Sequence, residues 1–133
     1  NLIHYSLNFT LQNTCKYCRT VHFLTGANER TSMITLHVYL TPKPGQYESL
    51  KSKINDPWIS TMAKQPGFIQ AAMLTQFHDE SSEDIEVISY WESEALRLDW
   101  VARPVHDEVF SSIIDLAETI SPSVKTVSNT WSI

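Results

Sequence analysis

The 133-residue chain is 42% hydrophobic and 11% aromatic and carries a formal charge of −5, enough apolar content for one folded domain and too much for wholesale disorder. The acidic balance excludes nucleic acid as a main partner, because phosphate contacts need a surplus of lysine and arginine. No run approaches the ~18 apolar residues that cross a bilayer, and no basic-then-apolar leader opens the chain, so the expectation is a cytoplasmic domain without membrane contact.

Residues 1–32 read as an N-terminal extension, rich in Asn, Thr and Cys and without a sustained apolar period. Cys15-Lys16-Tyr17-Cys18 is a single C-x-x-C, whereas structural zinc wants two such pairs, so no metal site is expected. From residue 33 to residue 133 the pattern is that of a compact domain. Ile34, Leu36, Val38 and Leu40 alternate with Thr35, His37, Tyr39 and Thr41, the period of a strand. Pro42-Lys43-Pro44-Gly45 ends it.

Tyr47, Leu50, Ile54, Trp58 and Met62 then recur at helical spacing, with a break at Asn55-Asp56-Pro57, where Asp56 can cap a second helical piece. Gln65-Pro66-Gly67 stops that helix. Phe68 to Phe77 reads as a strand apolar on both faces, and Ile85, Val87, Ser89 and Trp91 alternate in its hairpin partner. A short helix over Glu92–Ala102 breaks at Arg103-Pro104. A second helix carries the stripe Val105, Val109, Phe110, Ile113, Ile114 and Ala117. Ser121-Pro122-Ser123 is expected to stop it, and Val124–Ile133 to form a last β-branched strand. The order β-α-β-β-α-β predicts an α+β, ferredoxin-like domain. Strands two and three are apolar on both sides, so the face away from the helices needs a cover. The expected cover is a second copy packed sheet to sheet as a homodimer.

Pro66-Gly67-Phe68 entering a strand, the run Ile88-Ser89-Tyr90-Trp91-Glu92-Ser93-Glu94-Ala95-Leu96 leading to Trp100, and Pro104 with His106 resemble the antibiotic biosynthesis monooxygenase family of dimeric α/β barrels. The resemblance covers residues 33–133. It implies cofactor-independent oxygenation of electron-rich aromatics such as phenolic polyketides, with O₂ and a hydrophobic small molecule as substrates. It also implies a haem-degrading branch, whose Trp matches Trp100. The haem-ligating His of that branch would fall at Phe110, which disfavours haem chemistry here.

His106 is the expected base. It stands third in a helix opening at Pro104, where the positive end of the helix dipole disfavours imidazolium, and a neutral imidazole can take a proton from a phenol or activated C–H. Asp107 and Glu108 can orient the ring. Trp100 is expected beside the pocket, which the resemblance implies, and its indole N–H can donate to a substrate oxygen. His37 can share the acid–base role if its face of the first strand lines the cavity. Trp58, Phe68, Met73, Tyr90, Trp91 and Phe110 complete the expected substrate-binding set as apolar walls. The competing reading is a non-catalytic small-molecule-binding or stress-related module that uses the same pocket.

Overall fold

The computed structural model describes residues 32–78 and 81–132; residues 1–31, which include the C-x-x-C, lie outside the described residues. Four strands form one antiparallel sheet: β1 (Ile34–Pro42), β2 (Phe68–Leu74), β3 (Ile85–Trp91) and β4 (Ala117–Thr126), in the order β2-β3-β1-β4. Between β1 and β2 run α1 (Tyr47–Lys53), a wider-wound segment over Ile54–Ile59, and α2 (Ser60–Met62). Between β3 and β4 run α3 (Glu94–Ala102) and α4 (Pro104–Leu116). This is the expected ferredoxin-like α+β arrangement. Among the described residues no helix is long and apolar enough to cross a membrane.

The register of the two central strands sets the faces. Ile34, Leu36, Val38 and Leu40 lie opposite Trp91, Ser89, Val87 and Ile85, and these rows face the helices. Their side chains join Leu50, Ile54, Trp58, Met62, Trp100, Phe110 and Ile113 in one buried core. The alternate row, Thr35, His37 and Tyr39 against Tyr90, Ile88 and Glu86, faces away. The polar members of the helix-facing row are satisfied locally, since the Trp91 indole N–H donates to Ser89 Oγ at 2.9 Å.

The helical path from Tyr47 to Met62 breaks where expected: Asp56 is extended (φ −145°, ψ 119°), the backbone of a residue at a helix start, with Pro57 first after it, and its carboxylate accepts from the Ser60 hydroxyl at 2.7 Å. Two expectations need correction. First, β2 does not alternate uniformly. A bulge between Phe68 and Gln70 shifts the register, so Phe68, Ala71 and Met73 share the helix-facing side while Gln70, Ala72 and Leu74 share the other. One extra residue in one strand flips the phase of everything before it, and Ile69 is left exposed.

Second, the last strand starts at Ala117 rather than at Val124, and Pro122 lies inside it opposite Val38. Proline is tolerated there because β4 is an edge strand among the described residues, where its outer N–H groups meet no further strand.

Gly67 explains the Pro-Gly step into β2. Its φ is +86°, and a Cβ there would lie 2.6 Å from the Cβ and a methyl of Leu96 on α3. Its carbonyl also accepts from the Glu92 backbone N–H at 2.8 Å, which ties the β2 entry to the β3–α3 junction. Gly45 has a similar φ of +77° with open space around it. Gly45→Ala is therefore expected to cost about 1 kcal/mol of backbone strain, and Gly67→Ala about 2–4 kcal/mol once the clash is added. Urea unfolding of the two variants checks the order, and equal losses would contradict the close packing of Leu96.

Candidate functional site

Ser93 closes the β3–α3 turn by accepting from the Leu96 backbone N–H at 3.2 Å. Two helical turns later Trp100 enters the core, and Arg103, extended at ψ 139°, separates α3 from α4. Pro104 occupies the first position of α4, as its fixed φ favours, which makes His106 the third residue. His106 and Phe110, four apart, share one face of α4.

The result is a continuous run of four rings. Trp58 meets Phe110 at 5.0 Å between centroids with a 58° tilt. Phe110 stacks on His106 at 5.6 Å and 21°. His106 meets Trp100 edge-on at 5.1 Å and 82°. Trp58, Trp100 and Phe110 are buried, whereas the His106 side chain keeps 14% exposure. The imidazole is thus the polar, solvent-reached member of an otherwise apolar run of rings, held between Phe110 and Trp100. Asp107 Oδ1 lies 3.4 Å from His106 Nδ1, and the Asp107 side chain is mostly exposed.

Of the other expected wall residues, Phe68 and Trp91 form an edge-to-face pair at 5.7 Å, and half-buried Met73 lies opposite Val87. Seven expected residues (Trp58, Phe68, Met73, Trp91, Trp100, His106 and Phe110) therefore lie on the helix side. His37 and Tyr90 do not. Both belong to the other row of the β1–β3 ladder, so a shared pocket for His37 and His106 is ruled out by strand alternation.

His37 instead sits in a polar chain on the open face. Its Nδ1 is 2.8 Å from Glu86 Oε2, and its Nε2 is 2.9 Å from Thr35 Oγ1. Tyr39 stacks beside it at 6.3 Å. At the Tyr39 end of that face a groove of about 380 Å³ opens, lined by residues that include Tyr39, Thr41, Leu74, Asp84, Glu86 and Ser121. The alternation of β1 and β3 carried enough signal to foresee the Thr35-His37-Glu86 cluster once a register was chosen. The groove needed the bend of the strand ends and had no sequence signal.

A buried ion pair also escaped the sequence reading. Arg97 is fully buried and grips Glu94 with two bonds, Nε to Oε2 at 2.9 Å and Nη2 to Oε1 at 2.6 Å. Two charges three apart on a short helix ordinarily read as a solvated face. Here they hold the α3 turn that leads to Trp100.

No protein-family model matches the sequence, and no curated protein matches it. Solved structures do share its fold. A protein from Chloroflexus aurantiacus assigned by name to the antibiotic biosynthesis monooxygenases superposes with a TM-score of 0.62 at 16% identity, over 77% of this chain and 99% of that one. SnoaB, a cofactor-independent oxygenase from Streptomyces nogalater, gives 0.60 at 20% identity, over 74% and 96%. A conserved protein from Methanosarcina mazei gives 0.63 at 12% identity, over 73% and 94%. The fold implied by the sequence resemblance is the one these structures have.

Removing Glu94 would strand a buried guanidinium, which costs about 3–5 kcal/mol. Glu94→Ala is expected to lose that much stability in urea unfolding, whereas replacing the pair together, Glu94→Leu with Arg97→Met, loses less. A single variant as stable as the parent would contradict the pairing.

Proposed function

We propose that the chain is a cofactor-independent monooxygenase-like enzyme acting on a hydrophobic phenolic or polyketide-type substrate with O₂. The observation that carries this reading is His106. It is a part-exposed imidazole held between Trp100 and Phe110 at the start of α4, on a fold that a cofactor-independent oxygenase also has. A planar aromatic substrate fits beside such rings through offset or edge contacts.

In the proposed reaction, His106 takes a proton from an activated C–H or phenol of the substrate. The resulting anion is electron-rich enough to reduce O₂ itself. One electron passes to oxygen, the radical pair joins as a C–O bond, and a peroxide results. Loss of water across the C–O–O unit, with the proton returned from His106, leaves a carbonyl. One oxygen atom enters the product and the other leaves as water, with the substrate as the only reductant. The protein supplies a base, orientation and exclusion of bulk water, with Trp100 as the nearest ring to position the substrate.

We further infer that the working unit is a homodimer with the open sheet faces packed together. Tyr39, Leu74 and half-buried Ile88 and Tyr90 lie on that face, an apolar content that a monomer rarely leaves uncovered.

His106→Ala is expected to lower oxygen uptake with hydroxylated anthrones by about 10²–10⁴-fold, the contribution of a positioned base, with folding and sedimentation unchanged. Uptake at the parental rate in a folded variant would refute His106 as the base. No uptake by the parent across phenolic substrates, with retained binding of those compounds, would favour a non-catalytic binding module.

A further inference from the structure

Two features at opposite ends of the open face take no part in the chemistry above. At one end lies the groove walled by Tyr39, Leu74, Asp84, Glu86, Thr119 and Ser121. At the other, the chain leaves β4. The Val127 backbone N–H donates to the Met33 carbonyl at 2.9 Å, after which residues 128–132 run exposed. That segment carries Trp131, 86% exposed, whereas Trp58, Trp91 and Trp100 are all buried. An indole presents roughly 150–250 Å² of mainly apolar surface, and among the described residues nothing covers this one.

Its own groove lies far behind it. Ser121, the nearest groove residue on β4, is six residues behind Val127, about 20 Å at the rise of a strand, while the stretch from Val127 to Trp131 spans at most about 14 Å. A tail that continues the line of β4 does not come back to that groove. A two-fold axis lying between two open faces and across the strands reverses the strand direction of the second copy. Each tail then passes over the groove end of the other sheet, and the contact forms twice by symmetry.

We propose that in the sheet-to-sheet homodimer, a reading on which this inference rests, the Trp131 indole of each copy seats in the groove of the other. The lining suits that occupant. Tyr39 and Leu74 are themselves exposed large apolar side chains, and they offer walls for the ring. The carboxylates of Glu86 and Asp84 and the hydroxyls of Thr119 and Ser121 offer acceptors for the indole N–H, which is a donor only. The groove, at about 380 Å³, is large enough for a single bicyclic ring. The tails thereby lock the two sheets in one orientation, with the His106 sites on the outer sides of the assembly.

Acrylamide quenching of tryptophan emission tests the seat, with the parent and Trp131→Phe measured over a dilution series and sedimentation run on the same samples. The difference between the two proteins isolates Trp131. The expected result is a Trp131 component shielded several-fold relative to free indole in the dimer, with shielding lost as dilution separates the copies. Leu74→Asp is expected to remove the shielding at concentrations where the parent retains it. A sedimenting dimer whose Trp131 quenches like free indole would overturn the seat and leave the dimer standing. Shielding that survives dissociation would place the indole within one copy and overturn the exchange. A monomer at every concentration would overturn both the dimer and the seat.

Discussion

The antiparallel register of β1 on β3 is the constraint on which the rest of the structure depends. Val38 opposite Val87 and His37 opposite Ile88 divide the molecule into two chemistries one residue apart. A slip of one residue would carry every side chain to the other face. The buried row of Ile34, Val38, Leu40, Ile85, Val87 and Trp91 makes such a slip prohibitive, because it would place those chains in water and Glu86 in the core. Everything that bears on function then sorts by side. The ring run that holds His106 lies on the helix side, and the His37–Glu86 chain lies on the open sheet.

Much of this was legible in the residues. Strict alternation in β1 and β3, the Asn55-Asp56-Pro57 break and the Arg103-Pro104 restart all follow from local rules, and each appears where those rules place it. His106 was legible for the same reason, since Pro104 fixes the helix start and the count to the third position follows. The failures have a common origin in effects beyond the local window. The bulge at Ile69 comes from the need to bring Phe68 onto Trp91. Pro122 reads as a stop, yet it is harmless on β4, which is an edge strand among the described residues. Arg97 and Glu94 read as surface charges, yet each neutralises the other inside the core. Tertiary context decided all three.

The division into faces also gives physical content to the proposed separation of chemistry from assembly. A general base needs a site that water reaches poorly but a substrate can enter, and His106 alone among the four stacked rings is both polar and partly open. The open face has the opposite character, a broad sheet with half-buried apolar rows and a polar chain satisfied within itself. Such a surface, with the groove at one end of it, is suited to a flat partner. The Glu94–Arg97 pair and the approach of Leu96 to Gly67 brace α3 from within, which fixes Trp100 against the imidazole.

The most direct test of the account is therefore where a substrate-like ligand lands. Titration with a hydroxylated anthraquinone, which does not consume O₂, can be followed by the NMR signals of the histidine ring protons and the tryptophan indole protons, assigned by single substitutions. The account predicts saturable shifts of His106 and Trp100 with His37 unmoved. Shifts confined to His37 with His106 silent would place the ligand on the open face and contradict it.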